Sequence, residues 1–196
     1  MKQELIFATG NKNKAIEIES ALPQNFIVKT MQEEGIELDI PEPFETLEEN
    51  SKHKALTIYQ LTKKNCFAED TGLEVESLNN EPGVRSARYA GETKSDQKNI
   101  EKLLLHLNGI ENRTARFRTL MTLIVNGNIH QFEGICTGQI IHNPIGTNGF
   151  GYDPVFIPDG STHTFAEMDL VEKNKFSHRK KALTIMLAFL NNLKAD

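Results

Sequence analysis

The sequence offers little to a membrane, a disulfide framework or an anionic polymer. It has only two cysteines, Cys66 and Cys136, in separate apolar runs. Two isolated cysteines make neither a disulfide framework nor a metal site, so buried free thiols are expected. No stretch approaches the ~20 apolar residues needed to span a bilayer, and the opening segment lacks a basic region followed by a long apolar run. Lys and Arg number 22 against 27 Asp and Glu, a net charge of −5. Bulk electrostatics therefore supply no pull toward nucleic acid or anionic membrane. No repeat, low-complexity tract or linker breaks the chain. These absences predict a soluble, cytoplasmic protein with no nucleic-acid or membrane partner. If its substrate is anionic, the positive cradle must be local.

What is there fits one sizeable core. The chain has 196 residues, 38% hydrophobic and 25% charged, and is read as a single domain over 1–196. Residues 4–8 form a strand-like run ending in Thr9-Gly10-Asn11. A helix follows, with Ala15, Ile18 and Leu22 on one face, until Pro23. Phe26 to Thr30 reads as a second strand, and Pro41-Glu42-Pro43 marks a loop. Thr46 can cap a helix running to about Lys63. Cys66-Phe67-Ala68 reads as a buried strand stopping at Glu69-Asp70-Thr71-Gly72. Another helix spans residues 95–107, with Ile100, Leu103, Leu104 and Leu107 as its stripe. Residues 115–125 and 129–138 read as long strands joined at Asn126-Gly127-Asn128, a hairpin signal. A loop region covers 143–165, and the last helix runs from about residue 178 to 193. Strands and helices interleaved around a central hairpin predict an α/β fold with a mixed β-sheet and flanking helices.

Three local features carry chemistry. The first is Thr9-Gly10-Asn11-Lys12-Asn13-Lys14 at a strand-to-helix junction, where backbone N–H groups and the helix dipole favour an anion. Taken alone, it reads as well as a solvated turn with surface lysines, since it lacks the ending of a P-loop. The second is Glu69-Asp70 at the carboxyl end of an apolar strand, the edge at which ligands collect in open α/β sheets. Adjacent carboxylates there suit Mg²⁺ and proton acceptance from water; Asp-Thr-Gly is equally good turn chemistry. Glu42, in its proline-flanked loop, is a further candidate ligand. The third is helical phase. At ~100° per residue, Asn50 and Lys54 share a face with Leu47, Ile58 and Leu61. In the final helix, His178 and Arg179 lie along the side bearing Ala182, Ile185, Met186, Phe189, Leu190 and Leu193, while Lys180 points away. Inward cations in an acidic protein need an anion or a cleft, snorkelling and internal ion pairs being the alternative.

Seven segments together resemble the inosine triphosphate pyrophosphatase family, the non-standard purine NTP (XTP/dITP) pyrophosphatases. They are Thr9-Gly10-Asn11…Lys14, Glu49-Asn50…Lys54-Ala55, Glu69-Asp70-Thr71-Gly72-Leu73 and Pro82-Gly83…Ser86-Ala87-Arg88-Tyr89. Further along come Gly149-Phe150-Gly151-Tyr152-Asp153-Pro154, Ala166-Glu167-Met168…Glu172-Lys173 and Ser177-His178-Arg179…Ala182-Leu183. They stand in the family's order and span nearly the whole chain.

The resemblance implies a mixed sheet whose two lobes enclose a nucleotide cleft, and a homodimer. It implies cleavage between the α- and β-phosphates of ITP, dITP or XTP, giving monophosphate and pyrophosphate and so cleansing the nucleotide pool. By the same resemblance, Thr9, Gly10, Asn11, Lys12, Asn13 and Lys14 form the phosphate loop, with Lys54 a further phosphate contact and Thr71 among the substrate-binding residues. Asp70 is the proton acceptor and a metal carboxylate, with Glu42 and Glu69 supporting Mg²⁺. Phe150, Gly151, Tyr152 and Asp153 hold the base, Phe150 stacking on it, and Lys173, His178 and Arg179 complete the nucleoside site. Two departures are small: Glu69-Asp70-Thr71-Gly72 stands where many members have Asp-Asp-Ser-Gly, and Ser51 replaces a common alanine.

Overall fold

The computed structural model describes residues 3–193. Strands β1 (Gln3–Phe7), β2 (Phe26–Thr30), β3 (Cys66–Val75), β4 (Pro82–Gly83), β5 (Thr114–Val125), β6 (Asn128–Ile140) and β7 (Phe156–Pro158) form one sheet. Helices α1 (Lys12–Ser20), α2 (Leu47–Thr62), α3 (Asp96–His106), α4 (Leu170–Lys173) and α5 (His178–Asn192) interleave with them. The strand order is β2-β1-β3-β5-β6-β7, with β4 paired to β3. β1 runs parallel to β2 and β3, whereas β3–β4 and β6–β7 are antiparallel. The sheet is mixed, as the interleaved pattern predicts. Among the described residues, no helix is long and apolar enough to cross a membrane.

Close contacts gather the chain into two compact units interleaved in sequence. The first takes in the described residues up to Asp70, Thr119–Gly134, and those from Arg179 onward; the second takes in Thr71–Arg118 and Ile135–His178.

In the first unit, Phe7 stacks on Phe67 at 4.5 Å between ring centroids. They pack with Leu5, Ile18, Met121, Leu123 and the α5 residues Ala182, Leu183, Met186 and Leu190. Opposite sheet-facing positions, Ile6, Ala8, Cys66, Ala68 and Ile124, pack on Ala55 and Ile58 of α2. Alternation along β1 and β3 thus feeds two cores from one pair of strands, because successive strand residues point to opposite faces. In the second unit, Leu73, Val75, Ile100, Leu103, Leu107, Phe117, Tyr152, Phe156 and Phe165 form the core. Both cysteines are buried free thiols, and burial pushes Cys66 up to about 12.

Several boundaries differ from the sequence expectation. β3 does not stop at Glu69-Asp70 but runs through to Val75, because buried ion pairs absorb charges that read locally as a turn. α1 ends at Ser20, short of Pro23. The region expected to be loop contains β7, held on β6 through Gly138, Gln139 and Ile140. In α2, Leu47 and Ile58 face inward as phased, but Leu61 is 62% exposed in the last turn. In α5, Ile185 is exposed while Leu183 and Leu187 are buried, and Leu193 lies exposed just past the helix end, so the buried stripe lies rotated from the expected one.

Candidate active site

The first unit concentrates charge where β1 and β3 end. Asn11 caps α1, its side-chain oxygen accepting from the Asn13 and Lys14 amides at 2.9 and 3.3 Å. Thr9 Oγ1 accepts from the Asn11 amide at 3.1 Å. The segment of Thr9, Gly10, Asn11, Lys12 and Asn13 is therefore an ordered turn at a helix N-terminus, and most of it is exposed. No acidic residue occupies the first turn of α1, which leaves the dipole's positive end without a local counter-charge. Lys14 reaches back to the strand, its Nζ 3.1 Å from Glu69 Oε1.

Glu69 is held from the other side by Arg179. Nε donates to Oε2 at 2.7 Å and Nη2 to Oε1 at 2.9 Å, a bidentate grip, while Nη1 donates to Glu17 Oε2. Burial alone raises a carboxylate, yet here the charges of Arg179 and Lys14 outweigh it and bring Glu69 down to about 2. Arg179 is itself held above its ordinary value: burial opposes its charge, and Glu69 and Glu17 more than compensate.

Next along the strand, Asp70 faces a different cation. Lys54 Nζ donates to Asp70 Oδ1 at 3.1 Å and to Glu42 Oε1 at 2.5 Å. Burial disfavours the Lys54 ammonium, but Asp70 and Glu42 hold its pKa above the usual one. For Asp70 the balance reverses: burial pushes the carboxyl up against the pull of Lys54 and Lys14. Asp70 Oδ2 is buried and has no hydrogen-bond partner.

Glu17, Glu42, Glu69 and Asp70 thus meet Lys14, Lys54 and Arg179, four carboxylates against three cations. The orphaned oxygen in this cluster is Asp70 Oδ2. A buried acceptor left unpaired costs ~1–3 kcal/mol, more when charged, and a hard divalent cation is the complement of such an oxygen. The donor set therefore fits a cation at Asp70 with Glu42 beside it. Among the described residues, no three or more His, Cys, Asp or Glu gather as a metal set. Both Glu69 oxygens accept from Arg179, and Oε1 also meets Lys14, so Glu69 is braced within the cluster.

The second unit carries another cluster, after Thr71 leads β3 into it half-buried. Asp153 Oδ2 accepts from the Phe150 amide at 3.0 Å and from Lys173 Nζ at 2.5 Å. The Lys173 ammonium sits 5.4 Å from the Phe150 ring centroid and 5.1 Å from that of Phe165, within cation–π range. Gly149 has φ +74°, and a Cβ there would lie 2.0 Å from Asp153 Oδ2. Only glycine permits that approach. Gly151 donates its amide to Asp96 Oδ2 at 2.6 Å.

Phe150 is half-buried on this braced loop, whereas Tyr152 is not presented. The Tyr152 side chain lies in the core and its hydroxyl donates to the Ser86 carbonyl at 2.9 Å. Tyr152 and Asp153, expected against the base, therefore hold the loop that carries Phe150. His178 is buried with its ring stacked on Phe117 at 4.7 Å. His178 and Arg179 are both inward, as helical phase indicates.

Two contributors lie outside the sequence reading. Glu17 looks like an ordinary helix-surface glutamate, and its spacing of three from Lys14 is the only local hint. Asp96 looks like first-turn dipole decoration on α3. Its bond to a residue 55 positions away leaves no trace in sequence.

Comparison with known proteins finds relatives over nearly the whole chain. The family model described as the Ham1 family matches residues 5–189. The chain is 47% identical to the dITP/XTP pyrophosphatase of Flavobacterium psychrophilum, over 96% of this chain and 100% of that protein. Among solved structures, it is similar to the Staphylococcus aureus Ham1 protein, with a TM-score of 0.86, 36% identity, and coverage of 97% of this chain and 99% of that one. A HAM1 protein from Coxiella burnetii gives a TM-score of 0.87 at 34% identity, covering 97% and 99%.

Proposed function

Because the chain belongs to the Ham1 family, we propose that it hydrolyses non-standard purine nucleoside triphosphates such as dITP, ITP and XTP to monophosphate and pyrophosphate. The observation that carries the chemistry is Asp70: a buried carboxylate, one oxygen on Lys54, the other without a partner.

The residues divide the work by unit. In the first, the α1 turn and Lys14 meet phosphate oxygens through backbone N–H groups and an ammonium. Lys54 adds a second cation, and together they offset charge developing on the pyrophosphate leaving group. Asp70 orients or deprotonates the attacking water. Its burial-raised pKa brings its basicity closer to that of a working general base. Asp70 and Glu42 are the residues that would hold Mg²⁺, which when bound would supply Lewis-acid stabilisation of the phosphate oxygens. Glu69, clamped by Arg179, keeps the strand end in place.

In the second unit, Phe150 offers a ring for stacking on the purine, with Lys173 and Asp153 locking its loop. Base choice is a hydrogen-bond problem. Hypoxanthine and xanthine carry a 6-oxo acceptor where adenine has an amino donor, so a donor aimed at that position leaves adenine unpaired at ~1–3 kcal/mol. Arg179 is the donor assigned to this role, with His178 beside it in sequence. A guanidinium carries five N–H groups, so holding Glu69 and Glu17 is compatible with a contact to base.

The homodimer and cytoplasmic location implied by the resemblance belong to this reading, and sedimentation analysis tests the former. Chromatography of ITP digests tests the reaction, run with Mg²⁺ and with chelator. Inosine monophosphate and pyrophosphate formed only with metal are the expected result. Inosine diphosphate and orthophosphate as primary products would overturn it.

A further inference from the structure

The loop bearing Glu42 has no strand or helix of its own between residues 36 and 46, yet Glu42 must be fixed if it is to share work with Asp70. Pro41 and Pro43 flank it and restrict φ on either side. One buried side chain grips the loop's backbone. Asn50, 1% exposed in α2, accepts the Phe44 amide on Oδ1 at 3.0 Å and donates Nδ2 to the Phe44 carbonyl at 2.9 Å. An amide is the side-chain type that can both accept and donate at such a site; an aspartate or a leucine of similar size loses one bond or both. The Phe44 ring is held too, edge-on to His53 at 5.5 Å.

α2 is a rigid platform for this grip. Thr46 caps it, accepting from the Glu49 amide at 3.2 Å while its hydroxyl donates to Glu49 Oε2 at 2.8 Å. Ser51 meets Thr122 in the interior at 2.7 Å. One turn after Asn50, on the same face, Lys54 holds Glu42 and Asp70 together. The loop is thereby gripped twice by one helix stripe, on its backbone at Phe44 and on its side chain at Glu42.

We propose that Asn50 is a positioning residue, acting through the Phe44 backbone to hold Glu42 in register with Asp70 for the bound divalent cation. This rests on the reading of Glu42 and Asp70 as the metal carboxylates.

The test uses the full chain without nucleotide, with Mn²⁺ as the probe, read by loss of its free electron-spin signal. Asn50→Ala is expected to weaken Mn²⁺ binding about tenfold, the scale of a lost two-bond clamp. Amide exchange at Phe44 should accelerate by a similar factor. With nucleotide, the concentration of Mg²⁺ giving half-maximal rate should rise in step. At saturating Mg²⁺, kcat and KM for ITP should return to within roughly threefold of wild type, which a general loss of structure does not allow. Should Asn50→Ala fail to fold, the loop side offers a second route. Phe44→Pro deletes the donated amide without touching α2, and Phe44→Ala, which keeps both bonds, is its control. Weaker Mn²⁺ binding in Phe44→Pro than in Phe44→Ala supports the clamp; equal binding overturns it. Glu42→Gln separates the two levels of inference. If it weakens Mn²⁺ binding while Asn50→Ala does not, the positioning role is overturned alone. If neither variant weakens it, the metal reading of Glu42 falls, and the positioning role with it.

Discussion

Arg179 holds Glu69 with two parallel bonds, Nε to Oε2 and Nη2 to Oε1, across 110 residues of sequence. Its third nitrogen reaches Glu17. The pair joins the first turn of α5 to the strand that carries Asp70, so the carboxylate next to Asp70 is braced from a distant part of the chain. A buried pair of this kind contributes little net stability, but removing one partner strands the other at ~3–5 kcal/mol.

This pairing contributes a pH-dependent part of the fold's stability. Glu69 titrates at about 2 in the native state, against an ordinary value of 4.5. A depressed native pKa contributes stability that is complete above the unfolded value and is lost as pH falls through the native one. Wild type should therefore lose this contribution progressively between pH 4.5 and about 2. Glu69→Gln should be less stable at neutral pH and show a flatter melting-temperature profile over that interval. Parallel profiles for the two proteins would remove Glu69 from the acid response.

Asp70→Asn should abolish ITP turnover and leave the melting temperature equal or higher. Burial raises Asp70, so its ionised form is the one the folded state disfavours at neutral pH. Exchanging it for an amide relieves that penalty. Calorimetry and steady-state rates check both halves. A folded variant with nearly full activity would show that Asp70 is neither base nor metal ligand.

Legibility followed the range over which each constraint acts. The α2 face was readable, because Asn50, Lys54 and Ile58 stand four apart and a four-residue step returns to one helix face. Leu61 misled because phase says nothing about how far a neighbour extends along the helix. The continuation of β3 through Glu69-Asp70 was not readable at all. Two adjacent carboxylates followed by Thr-Gly satisfy every local turn rule, and their neutralisers, Arg179 and Lys54, are decided by tertiary packing.

The same limit explains the second unit. Gly149-Phe150-Gly151 marks a special turn in any reading, yet Tyr152 is indistinguishable by type from a base-stacking residue. Only the hydroxyl's bond to Ser86 and the ring's place among Leu73, Phe117 and Phe156 show it to be core. β7, three residues long and paired to β6, has too few positions for a period to register.

Lys54 supplies a pH test of the proton acceptor. Lys54 draws the Asp70 pKa down against burial, so Lys54→Met should raise it further. The acidic limb of kcat/KM for ITP should then move to higher pH, with a lower plateau from the missing phosphate contact. An unmoved limb would mean that another group titrates in the rate.

Phe150→Ala should raise KM for ITP roughly tenfold or more, the scale of one base–aromatic stack. Its effect on kcat should be smaller, because the reacting phosphates lie at the other end of the substrate. Thermal stability should change little, since the half-buried ring is not a member of the second unit's core. A fall in kcat with KM unchanged would argue against stacking.

Arg179→Ala tests base reading against charge support. As the donor to the 6-oxo group, Arg179 contributes one or two buried hydrogen bonds to inosine and xanthosine triphosphates and none to adenosine triphosphate. Its loss should lower kcat/KM for the former by roughly 10–100-fold, while the poor activity on adenosine triphosphate changes much less. The selectivity ratio shrinks. If Arg179 serves only to hold Glu69 and Glu17, the damage passes through the strand end and strikes both substrates by the same factor. Either account predicts a lower melting temperature, because two buried carboxylates lose the guanidinium they share. Glu17→Gln with Arg179→Ala should restore part of that stability. The kinetic ratio, measured on the folded fraction for both nucleotides, decides between the accounts: a shrunken ratio supports base reading, and an unchanged one assigns Arg179 to the scaffold.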